Sequence, residues 1–120
     1  MFEQIYKEIF KIDPKIRYIG IYHKGDLHGR AKDGLKPLLD RYETKLSLFQ
    51  AALRWKERSD WTPKIGRPIY ALAMYEKVKR ITLGIDDDFI ILLSVEIDCE
   101  HDKLISQLID FKKKIHDILK

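Results

Sequence analysis

Cysteine is almost missing from this chain of 120 residues: only Cys99 is present. A lone cysteine makes no internal disulfide, so a cystine-stapled scaffold is excluded and a reducing compartment fits. The 6 glycines are scattered, which excludes a glycine-rich phosphate loop. No apolar run approaches the ~18 residues of a membrane span. The start, Met1-Phe2-Glu3-Gln4, lacks the basic-then-apolar layout of a secretory signal. Repeats, low-complexity tracts and flexible linkers are also missing. These absences lead to the expectation of a cytoplasmic protein.

What is present is a balanced globular composition, 45% hydrophobic and 35% charged. The length suits a single domain over residues 1–120, able to bury roughly two-thirds of its unfolded surface without staples. The net charge of +4 is unevenly spread: residues 41–80 carry a net +6 and residues 81–110 a net −7. Such polarity suits oriented docking of a partner, although charged faces also serve simply to solvate a surface.

Periodicity predicts the elements. Phe2, Ile5, Tyr6, Ile9 and Ile12 mark an amphipathic helix, closed by Asp13-Pro14. Residues 16–23 and 27–31 read as two strands around the turn Lys24-Gly25-Asp26. A long helix is predicted over 35–58 with two apolar stripes. The larger, Leu35, Leu38, Leu39, Tyr42, Leu46, Phe49 and Leu53, is expected to face the core. The smaller, Leu48, Ala51, Ala52 and Trp55, is left without a partner in the monomer. Residues 59–68 read as a loop. Three strands follow, over 69–75, 77–85 and 89–97, joined too tightly for parallel crossovers. The run Phe89-Ile90-Ile91-Leu92-Leu93 requires cover on both faces. A last helix spans about 100–119, with Asp98 as its expected cap. The expected architecture is α+β: a five-stranded antiparallel sheet in three α/β/α layers, ordered helix-strand-strand-helix-strand-strand-strand-helix.

This element order, the length of the second helix and the apolar strand after it resemble the roadblock / dynein light-chain superfamily, related to longin and profilin-like domains. The chain also resembles small archaeal domains of this type. The resemblance implies a homodimer in which the long helix packs on its twin and the following strand pairs across the two-fold axis. It also implies a non-enzymatic scaffold or regulator, with a small GTPase as partner. Two sequence features agree with a dimer. The strand Ile69, Tyr70, Ala71, Leu72, Ala73, Met74 and Tyr75 is too apolar for an exposed edge. The smaller stripe, Leu48, Ala51, Ala52 and Trp55, offers small residues between large ones, where a twin helix would approach closely.

Other chemistry is sparse. Asp86-Asp87-Asp88 lacks the alternating ligands of a calcium loop and reads more simply as a hairpin turn. His23 and His28 would face each other if Gly25-Asp26 centred the turn, which is half a metal site at best. Cys99 and His101 lack the further groups a nucleophile requires. No metal, cofactor or catalytic set is therefore expected. Lys77, Lys79 and Arg80 are the expected partner surface. With Arg54, Lys56, Arg58, Lys64 and Arg67, and with Trp61 and Tyr75 interleaved, they give nucleic-acid binding as a lesser alternative. A profilin-like ligand-sensing domain is the other alternative, favoured by any large cavity beside the sheet.

Overall fold

The computed structural model describes residues 2–119. Helix α1 (Glu3–Ile12) leads into β1 (Ile16–His23) and β2 (Asp26–Ala31). Helix α2 (Arg41–Ser59) and the one-turn α3 (Thr62–Ile65) follow. Then come β3 (Tyr70–Met74), β4 (Val78–Asp86), β5 (Phe89–Glu96) and α4 (His101–Leu119). The strands form one antiparallel sheet in the order β2-β1-β5-β4-β3, so β2 and β3 are its edges. The expected fold class and element order are observed. The addition is α3, where residues 59–68 read as loop; Pro63 at its first turn suits helix entry.

Helices α1 and α4 pack together on one face of the sheet. Ile5, Ile9, Leu104, Leu108 and Ile115 meet Ile19, Ile21, Ile81, Leu83 and Ile91 there, all fully or nearly fully buried. The other face holds a smaller core, in which Leu48, Ala51 and Trp55 of α2 lie on Ile90 and Leu92. Strand β5 is sandwiched between the two, and residues 89–93 are buried throughout.

Helix α2 sits against the sheet through the stripe expected to be free. Two glycines explain the choice. A Cβ at Gly20 would lie 2.5 Å from a Leu48 methyl, and one at Gly84 would lie 2.7 Å from the Trp55 ring. These glycines dig two hollows that Leu48 and Trp55 fill, and Ala51 and Ala52 let the helix descend between them. The larger stripe is therefore turned outward, with Tyr42 75% and Phe49 48% exposed. The expectation is corrected on both counts: Leu48, Ala51, Ala52 and Trp55 are core, and Tyr42, Leu46, Phe49 and Leu53 are surface.

The start of α2 also differs. The helix begins at Arg41, and residues 35–40 run before it. Asp40 accepts from the Glu43 N–H at 2.8 Å while Glu43 accepts from the Asp40 N–H at 3.0 Å, a complete capping box. Pro37 disfavours helix in the residue before it. At α4, the Asp98 carboxylate is taken by Lys15 Nζ at 2.8 Å. Glu100 supplies the first carbonyl, accepting from Leu104 N–H.

Candidate interaction surface

The sheet ends in two contrasting edges. Strand β2 carries Asp26, His28 and Arg30 along its rim, and Arg30 is paired with Glu3 at 2.6 Å. Strand β3, Tyr-Ala-Leu-Ala-Met, carries no charge, no proline and no bulge. Its outward backbone groups follow from the ladder. The Ile69 carbonyl and the Tyr75 N–H both bond to β4, to Gly84 N–H and the Val78 carbonyl. Alternation then turns the N–H and C=O of Tyr70, Leu72 and Met74 away from the sheet. Ile69, Tyr70, Met74 and Tyr75 are exposed.

The flank of α2 that leans toward β3 is basic. Arg54 and Arg58 share a shallow groove with Ala71, Ala73, Tyr75 and Arg80. The outward apolar stripe lies about 140° further round the helix at 100° per residue. There Tyr42, Leu46, Phe49 and Leu53 fall at spacings of four, three and four, the pattern of a helix-packing seam. Leu38 and Leu39 extend the apolar surface just before the helix.

The residues expected as the partner surface separate. Strand alternation sends Lys79 to the α1/α4 face beside Ile81. It is 7% exposed there, donating to the Cys99 carbonyl at 2.6 Å and meeting His101 Nδ1 at 3.0 Å. An ammonium has only donors, so Nδ1 is the acceptor. Arg80 points to the opposite face, half-buried, and donates to the Ser47 hydroxyl. Burial lowers its guanidinium pKa; Tyr75 opposes this and Arg54 adds to it. Of the three, only Lys77 is fully exposed.

Other sequence candidates also resolve. The first hairpin turns at Lys24-Gly25, with φ of 50° and 88°, and pairs His23 with Asp26 and His28 with Ile21. Both imidazoles pack edge-on to Phe2, at 5.6 and 4.9 Å. Asp87 and Asp88 form the β4–β5 turn, where Asp86 accepts from Asp88 N–H and Asp87 pairs with Arg67. Burial, and next the Asp13 charge, hold the Cys99 thiol above its ordinary pKa, which keeps it protonated. Among the described residues no group of three His, Cys, Asp or Glu side chains converges as a metal site. Nor is any described helix long and apolar enough to cross a membrane.

No family model matches the chain, and no curated protein sequence matches it. Solved structures do. A Roadblock/LC7 domain from Streptomyces avermitilis superposes with a TM-score of 0.72 at 8% identity, over 94% of this chain and 92% of that one. The fold is roadblock-like. MglC from Myxococcus xanthus aligns at TM-score 0.63 and 16% identity over 95% of both chains. MglB in a tetrameric arrangement aligns at 0.68 and 12%, over 89% of this chain and 80% of that one. At these identities the likeness is one of fold, and the roadblock-like layers extend over nearly the whole length.

Proposed function

We propose that the chain is a non-enzymatic, homodimeric protein-interaction scaffold of the cytoplasm that regulates a small GTPase, the whole length acting as one domain. The observation that carries this reading is the difference between the two sheet edges. An uncharged strand with outward N–H and C=O groups is an invitation to another strand, and a second copy supplies an identical one. The β3 residues 69–75 therefore form the dimer contact, with Arg54 and Arg58 alongside. The α2 half of the expected contact is replaced, because its four residues are spent on the chain's own sheet.

The GTPase is proposed from the roadblock-like fold and from the surface left over. Pairing through β3 leaves the stripe Tyr42, Leu46, Phe49 and Leu53 open on each copy, flanked by basic Arg41 and Lys45. A contiguous apolar patch with a polar rim is what a protein partner covers. The charge polarity of residues 41–80 against 81–110 makes the encounter salt-sensitive.

Sedimentation equilibrium and affinity capture test the two halves. A dimer at micromolar concentration is expected, and capture from a native lysate should return a nucleotide-binding protein. Leu46→Asp with Phe49→Asp should abolish that capture while leaving the dimer and the thermal transition in place. A monomer at micromolar concentration and above refutes the dimer. Capture that returns only DNA or RNA, or that survives the double substitution, refutes the assigned surface.

A further inference from the structure

Helix α2 covers only part of its sheet face. Leu48 and Trp55 anchor its middle and C-terminal half. Its first turns stand off the sheet, and the segment 35–40 closes the gap from the side. A cavity of about 580 Å³ remains among these parts, within the range of small-molecule sites. Its apolar wall comes from Leu27, Leu35, Leu38, Leu39, Leu48 and Val78. Tyr18 and Ser94 contribute hydroxyls from the sheet floor.

The charges around this space are one-sided. Arg17, Arg41, Lys45 and Arg80 all line it. Arg17 is neutralised by Glu96 at 2.6 Å, and the lining acid Asp40 is occupied by its capping box. Among the described residues, no carboxylate lies within ion-pair distance of Arg80. Arg80 is half-buried and has only neutral hydroxyls, those of Ser47 and Tyr75, as its side-chain partners. A guanidinium taken partly out of water without an anion is costly, and an incoming carboxylate accepts two parallel N–H bonds from it.

We propose that this cavity binds a small anionic amphiphile, an aliphatic chain ending in a carboxylate. The head group pairs with Arg80, aided by Arg41 and Lys45, and the chain lies along Leu35, Leu38, Leu39 and Val78. The site is built within one chain, so it stands independently of the dimer, and it shares Arg41 and Lys45 with the flank of the surface proposed for the GTPase. It also gives residues 35–40 a role: they form the wall that a bound chain would hold in place.

Decanoate is the probe, titrated calorimetrically into the full chain, with decanol and decyltrimethylammonium as neutral and cationic counterparts. Saturable decanoate binding is expected, about tenfold or more tighter than decanol, with the cation weaker still. Arg80→Met should remove most of that preference at an unchanged thermal transition. Leu39→Asp, on an exposed residue outside the regular elements, should weaken decanoate about tenfold by placing a second anion at the wall, and it serves if Arg80→Met fails to fold. Amide shifts at Val78 and Ser94 should report the site. Equal binding of the cation, no saturable decanoate binding, or an affinity unmoved by both substitutions overturns the proposal.

Discussion

Met74→Pro separates the open edge from the fold. Met74 is 62% exposed, and its N–H points away from β4. A proline there removes an outward donor and leaves the β3–β4 ladder whole, which is the condition under which edge strands accept proline. In an antiparallel two-fold pairing each outward residue exchanges both backbone groups with the twin. The substitution therefore deletes about two hydrogen bonds per dimer, one from each copy. At about 0.5–1.5 kcal/mol each the loss is about 1–3 kcal/mol, a weakening of about 5- to 150-fold in Kd. The pyrrolidine ring also occupies space the partner strand needs, so the observed factor should fall in the upper part of that range. Sedimentation velocity over a concentration series reads the Kd, and circular dichroism at the same concentrations reads the fold. An unchanged dimer constant in a folded Met74→Pro protein would refute the edge pairing and move the twin to the outward stripe of α2.

Three further outcomes follow from the packing. Trp55→Ala should cost about 3–5 kcal/mol in urea titrations, because the ring fills the hollow over Gly84 and leaves a cavity behind; a loss below 1 kcal/mol would return Trp55 to the surface. Asp40→Ala should cost about 0.5–2 kcal/mol and fray the first turn of α2, visible as faster amide exchange at Glu43 and Thr44. Tyr6 links stability to alkali. Desolvation, with a smaller push from Tyr18, raises its phenol to about 12 from 10.0. Below pH 10 the phenol is neutral folded or unfolded. Above it the unfolded chain ionises first, so stability should fall between about pH 10 and 12. Tyr6→Phe should flatten that fall, and an unchanged slope would show that another group governs it.

The element order and the layers were legible in the sequence, because periods of 2 and 3.6 report local geometry. The burial of β5 was legible too, since residues 89–93 leave no polar position. Two differences between expectation and structure have their cause in the same residues. Continuing the β4 alternation back from Ile81 puts Lys79 on the inner face with it, although its charge argued for the surface. Asp40 with Glu43 is a capping-box pattern, and it sets the start of α2 against the pull of Leu35, Leu38 and Leu39 toward a longer helix. The face of α2 was not legible in this way. A helical wheel ranks stripes by size and hydrophobicity, and the larger stripe won. What decided the matter was the relief of the sheet beneath, two hollows at Gly20 and Gly84 that lie 64 residues apart. The cavity is not legible in the sequence for the same reason, since its wall and its guanidinium come from segments that only the fold brings together.

In the dimer proposed above, the unequal rims of the sheet would fix how large the assembly grows. In the language of polymer chemistry each chain would then be a monofunctional monomer, with one reactive end at β3 and one blocked end at β2. When two β3 strands join about a two-fold axis, both reactive ends are consumed. The enlarged sheet then terminates on both sides in Asp26, His28 and Arg30 and the Arg30–Glu3 ion pair. Growth would stop at the first addition without a cap protein or a concentration limit, and the apolar strand, hazardous in isolation, would be spent in the one step that closes the assembly.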